Sequence, residues 1–173
     1  MMGRTHALIG INSLWLLTLL PSDWVSSWGG MAGVAAFGSL LPDLDACEST
    51  TKHLALPGTS FKPFLLPARH IHYTSQHRGL LHSFVGWITI TLIALPLALL
   101  ESWELWVALS LGYGSHLMAD AATKSGIMLQ YPRTTRYHLL PQSSRITTVS
   151  QVEEIYFAFA AGAAMALLLR FGT

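Results

Sequence analysis

From Phe84 to Leu100 no residue is charged, and His77, Arg78, His82 and Ser83 stand directly before this run. The pattern recurs along the chain. Trp24–Leu41 leads into Asp43 and Asp45, Trp103–Met118 carries His116 and stops at Asp120, Ala7–Leu20 follows His6, and Ile155–Phe171 follows Glu153 and Glu154. Apolar segments with polar groups confined to their ends suit a lipid environment, where a perpendicular helix needs ~20 residues and at least about 17. Charged residues make up 11% of the chain, against roughly a quarter in soluble domains, and the mean hydropathy is +0.44. The expected fold is all-α: a polytopic helical membrane protein with about five (four to five) transmembrane helices, forming one domain over residues 1–173. The first and fourth segments are short, which allows partial insertion. Small residues in the second (Gly29, Gly30, Gly33, Gly38, Ala32, Ala35, Ala36) and in the fifth (Ala158, Ala161, Gly162, Ala166) would let helices approach closely.

Basic residues set the orientation. Arg4, Lys52, Lys62, Arg69, Arg78, Lys124, Arg133, Arg136 and Arg145 fall on one side of a five-span arrangement, and only Arg170 falls on the other. Lysine and arginine concentrate on the cytoplasmic side of membrane proteins, so the N-terminus is expected there, as an uncleaved first span. Trp24, Trp28, Trp103 and Trp106 mark the opposite interface. All eight histidines sort to the cytoplasmic side, together with Asp43, Asp45, Asp120, Glu153 and Glu154. A net charge of +1 without long basic runs argues against nucleic acid as a partner. The single cysteine, Cys47, excludes an internal disulfide framework.

The polar ends point to metal chemistry. His116 and Asp120 are four apart, on one helical face within reach of one ion. Asp43 and Asp45 converge if their segment is extended, because residues two apart then share a face, and diverge if it is helical. His77 and His82 are five apart and suit a turn through Gly79, with Ser83 opening the next helix. The N–H groups of that helix start, with Arg78, could hold an anionic oxygen such as a phosphate. His6 and Glu153 or Glu154 would complete a mixed histidine–carboxylate shell, which suits zinc first, or manganese or iron, over calcium. His70, His72 and His138 are rival ligands on proline-rich loops.

In order along the chain stand Thr5-His6, Gly38-Ser39-Leu40-Leu41-Pro42-Asp43-Leu44-Asp45, His77-Arg78-Gly79-x-x-His82-Ser83, Gly112-x-x-x-His116-x-x-x-Asp120 and Thr123-x-x-Gly126 with Pro132. This ordered set resembles the bacterial inner-membrane, LexA-regulated, metal-dependent hydrolase family, the YdjM-like proteins, and especially its YbcI-like members. The resemblance implies an inner-membrane protein with a divalent metal and hydrolase activity, and SOS regulation in some members. The matching positions are His6, Asp43, Asp45, His77, His82, His116 and Asp120.

The expected function is therefore membrane-bound hydrolysis of a phosphoester or lipid-type substrate at the cytoplasmic leaflet, by a metal-activated water. Arg78 and Ser83 would orient the substrate, and membrane lipid is the expected surrounding, with homo-oligomerisation left open. A non-catalytic metal-binding envelope or stress protein is the alternative, since ligands alone do not establish an open coordination position. A cation transporter fits less well, because such sites lie near the membrane midplane and these residues gather at one face.

Overall fold

A computed structural model of the chain describes residues 1–21, 25–45 and 79–172. Its helices are α1 (Gly3–Ser13), α2 (Trp28–Leu40), α3 (Phe84–Ile93), α4 (Leu95–Leu100), α5 (Trp103–Ala121) and α6 (Gln151–Phe171), with short 3-10 turns at Leu14–Leu19, Pro42–Asp45, Leu80–His82 and Gln142–Ser144. Among the described residues no strand forms; two isolated bridges, Thr123 with Ile146 and Ile127 with Tyr137, brace the loop between α5 and α6. The described residues are all-helical in class, and each of the five apolar runs is helical over most of its described length.

Backbone contact holds the centre. A β-carbon at Gly112 of α5 would overlap the Ala35 carbonyl of α2, and one at Gly38 of α2 would overlap the Leu109 carbonyl of α5. Gly10 lets α1 join them: a β-carbon there would stand 2.7 Å from the Ala35 carbonyl oxygen and 2.8 Å from the Ser39 β-carbon. Side chains of ordinary size would force these three helices apart. Gly29, Gly33 and Gly162 meet nothing within contact distance. The expected small face of the fifth run is thus not used in this bundle: Ala158, Gly162 and Ala166 all face outward.

The helices run alternately towards and away from one end. Met2 N–H donates to Glu153 at 2.6 Å, joining the starts of α1 and α6. At the other end, Glu104 at the start of α5 accepts Ser26 and Ser27 N–H at 3.1 and 3.2 Å, just before α2. Trp28 stacks there on Phe171 at the end of α6, with ring centroids 4.7 Å apart. Trp87 and Trp106 tie α3 to α5 by donating to the Ser110 and Thr91 carbonyls at 2.9 and 2.8 Å. The α3–α4 unit breaks at Ala94, ahead of Pro96 near the start of α4.

One helix among the described residues, α6, is long and apolar enough to cross a membrane; 17% of its apolar window is buried. Its 21 residues extend about 32 Å, and Ile155, Phe159 and Leu169 are exposed, as are Ile88, Leu92, Leu99 and Leu100 on α3 and α4. Replacing Gly112 by leucine should lower the apparent melting temperature in detergent by several degrees, since overpacking of this kind costs ~1–3 kcal/mol. Gly162→Leu should leave it unchanged. Equal melting of the two variants would contradict the assigned crossing.

Candidate metal centre

The Ser39 carbonyl lies near the C-terminal end of α2, where the last carbonyls of a helix lack intrahelical donors. The close α2–α5 crossing brings it to His116, whose Nδ1 donates to it at 2.7 Å. This bond fixes the His116 tautomer and turns the Nε2 lone pair to the other side of the ring, as an outer-sphere carbonyl does for a metal-bound histidine.

On that side lie three further donors. His82 Nε2 is 3.2 Å from His116 Nε2. Asp43 Oδ1 is 3.5 Å from His82 Nε2 and 3.7 Å from His116 Nε2. Asp120 Oδ2 is 3.8 and 3.9 Å from the same two nitrogens. Four donors around zinc at ~2.0–2.1 Å would stand roughly 3.3 Å apart, so these five separations need only modest contraction. The residues present fit a divalent ion.

His6 extends the cluster. Its ring stacks on His116 with centroids 3.8 Å apart, and its Nε2 is 3.3 Å from Asp120 Oδ1. Among the described residues, His6 Nδ1 and the adjacent Thr5 hydroxyl are buried without a hydrogen-bond partner, the kind of position that an ion or ordered water commonly satisfies. The Met1 amino group donates to Asp120 Oδ1 at 3.0 Å. His6, His116 and Asp120 form one group of potential ligands, and Asp43, His82 and His116 form another.

Burial gives the centre an open side. The side chains of His6, His82, His116 and Asp120 are at most 1% exposed, whereas Asp43 is 23% exposed. Burial by itself would raise the Asp43 carboxyl pKa. The His82 hydrogen bond and the neighbouring His116, His6 and His82 rings outweigh it and hold the group below the usual carboxylate range.

His82 is positioned by its own turn. The Tyr113 hydroxyl of α5 donates to the Leu81 carbonyl at 2.5 Å, and Gly86 leaves room for the Leu80 carbonyl against α3. Thr123 closes the other end of the site helix by donating to the Asp120 carbonyl at 2.7 Å.

The structure thus brings His6, Asp43, His82, His116 and Asp120 together, and other expectations fare differently. Pro42–Asp45 is a 3-10 turn, not an extended segment. With three residues per turn, its backbone does not aim positions 43 and 45 the same way, so the paired-carboxylate argument lapses and Asp43 alone is carried forward. The Asp45 side chain lies outside the described residues, as do His77, Arg78, His70, His72 and Cys47.

Ser83 is buried and caps α3: its hydroxyl donates to the Leu80 carbonyl at 2.6 Å and accepts Gly86 N–H at 3.2 Å. That is a positioning task, not a substrate-facing hydroxyl. The anion site expected at this helix start loses two donors, because Phe84 N–H goes to the Leu129 carbonyl at 2.9 Å and Gly86 N–H to Ser83.

Glu153 does not complete the shell. It is buried, accepts Val149 N–H at 2.7 Å, and has its own N–H bound by Ser150 at 3.3 Å. The Ser150-x-x-Glu153 spacing is a capping signature readable in sequence. Glu154 pairs with Arg4 at the surface, and His138 Nε2 lies 3.3 Å from the Lys124 carbonyl oxygen, in the loop. Sequence reasoning missed the Ser39 carbonyl, which no side-chain pattern announces.

A helical chain with a buried histidine–carboxylate centre where four segments meet defines a class of candidate metalloproteins. The particular family follows from the sequence match: residues 1–172 match the model of the YdjM inner membrane protein family, and the chain belongs to it. The match is to that family as a whole and does not single out the YbcI-like members. Neither a curated protein nor a solved structure matches the chain.

Proposed function

We propose that this protein is a multi-pass inner-membrane metalloprotein that hydrolyses a phosphoester or lipid-type substrate at the cytoplasmic leaflet. The observation that carries the reading is the pair of nitrogens His82 Nε2 and His116 Nε2, 3.2 Å apart, with a carboxylate oxygen of Asp43 and one of Asp120 each 3.5 to 3.9 Å from both. These four would hold the ion, zinc first with manganese or iron as alternatives, and His6 lies against them. A divalent ion there supplies Lewis-acid activation of water and neutralises charge on a phosphoryl or acyl oxygen.

The chain's own residues do the rest. Ser39 and His116 hold the imidazole lone pair towards the centre, and Asp120 joins the His6 side to the His82 side. Asp43, the most exposed member, stays ionised and accepts a hydrogen bond from an incoming water or hydroxyl. His77 keeps the ligand role that the family resemblance suggests for it, and Arg78 the substrate-orienting role that its charge suggests.

Membrane crossing by five segments with a cytoplasmic N-terminus is part of the same reading. Its support is the one-sided placement of basic residues, the alternating helix directions, and the apolar outer faces of α3, α4 and α6. A topology reporter fused at the C-terminus should read out on the periplasmic side; a cytoplasmic signal would overturn the five-span arrangement.

A non-catalytic metal-binding role is favoured by one feature. Four protein donors would fill the coordination of a tetrahedral ion, as in a closed structural site and unlike a catalytic one with an open position. Activity separates the two readings. Purified protein should hydrolyse generic phosphoesters or phospholipids in a chelator-sensitive manner, and His116→Ala should lose at least ~100-fold, the lower range for removing a group central to catalysis. Full metal loading with no chelator-sensitive turnover on either substrate class would favour the binding protein.

A further inference from the structure

A cavity of about 610 Å³ lies on the side of α5 away from Ser39. Its walls include Leu16 from the turn after α1, Met118 and Ala122 at the end of α5, and Ile127, Leu139 and Ile146 from the loop between α5 and α6. Ala119 and Ala121, which flank Asp120 in sequence, also line it, so it runs along the helix that carries the candidate metal ligands.

Three polar side chains in this wall have their donors turned to the backbone. Ser13 donates to the Gly10 carbonyl at 2.6 Å and Ser115 to the Gly112 carbonyl at 2.7 Å. The Asn12 amide donates to the Leu8 and Ala160 carbonyls at 2.9 and 2.8 Å. Such a lining suits an alkyl chain and offers little to a polar headgroup.

The loop that supplies one wall is cationic. Between Ala121 and Ser150 it carries Lys124, Arg133, Arg136 and Arg145 and no acidic residue. Arg133, Arg136 and Arg145 bond to neutral acceptors, the Gln130 side chain and the Ser125 and Leu140 carbonyls, and none of the four cations pairs with a carboxylate among the described residues. Arg145 adjoins the wall residue Ile146 in sequence, and Lys124 N–H donates to the Ile146 carbonyl at 3.0 Å, so the backbone of two cationic residues is tied to the cavity wall.

We propose that this cavity holds one acyl chain of an anionic phospholipid, whose headgroup lies against the cationic loop. The apolar wall selects the chain and the loop selects the charge. The inference deepens the hydrolase reading, because it names the substrate class where that reading holds. Occupancy of the cavity does not itself depend on hydrolysis.

The test is native mass spectrometry of the full chain, equilibrated in non-ionic detergent with equimolar phosphatidylglycerol and phosphatidylcholine. One phosphatidylglycerol per chain is expected. Arg145→Gln should cut its preference over phosphatidylcholine by about fivefold, the contribution of one basic residue near an anionic headgroup. Ser115→Leu combined with Ala122→Leu should remove the bound lipid while metal content, the sign of an intact fold, stays at the wild-type level. Leu139→Trp fills the cavity from the loop and should do the same. His116→Ala, which removes the metal site, should still bind the lipid, so failure of the cavity and failure of the metal centre read out separately. Wild type without bound lipid, cavity-filled variants that bind as wild type does, or a second copy of the chain in place of the lipid would each overturn the proposal.

Discussion

The close crossing of α2 and α5 is the constraint on which the rest depends. Gly38 and Gly112 bring the two backbones into contact, and that contact delivers the Ser39 carbonyl to His116. Without it the His116 ring would have two equivalent ways to present its nitrogens. With it, one lone pair is aimed at His82, Asp43 and Asp120. A packing motif common in membrane helices thus becomes the orienting element of a polar centre, because the crossing lies near the C-terminal end of α2, where carbonyls are unspent.

The centre gathers the ends of elements that are far apart in sequence. His6 opens α1, Asp43 follows α2, His82 precedes α3, and His116 and Asp120 close α5. Ionisable groups in an apolar chain are costly unless paired or bound to an ion, and here most are nearly inaccessible to solvent. The less exposed members fix one another, and the half-buried Asp43 leaves one side open to water. Glu153 and Glu104 show the contrasting use of buried carboxylates: each is absorbed into hydrogen bonds with backbone N–H groups at helix starts, at opposite ends of the bundle.

Much of this was legible in the sequence, for physical reasons. The apolar runs became the helices, and the sorting of polar residues to their ends anticipated where they meet. His116 and Asp120 share a face because four residues nearly complete a helical turn. The failures are also physical. The pairing of Asp43 with Asp45 assumed an extended backbone, and the chain instead continues from α2 into a 3-10 turn. Ser83 was read for its hydroxyl chemistry, yet a serine directly before a helix serves its own N–H groups first. Gly162 resembles Gly38 in composition, and only three-dimensional packing distinguishes a glycine under a neighbouring backbone from one that faces outward. The Ser39 carbonyl was invisible, since every residue carries one.

The central claim is a metal centre built from His82, His116, Asp43 and Asp120, and metal analysis of detergent-purified protein tests it most directly. Wild type and His138→Ala should carry the same stoichiometric divalent metal, while His116→Ala and Asp43→Ala should lose it, with affinity falling by more than the ~10–100-fold typical of an outer-sphere change. Equal metal content in all four proteins would contradict the account.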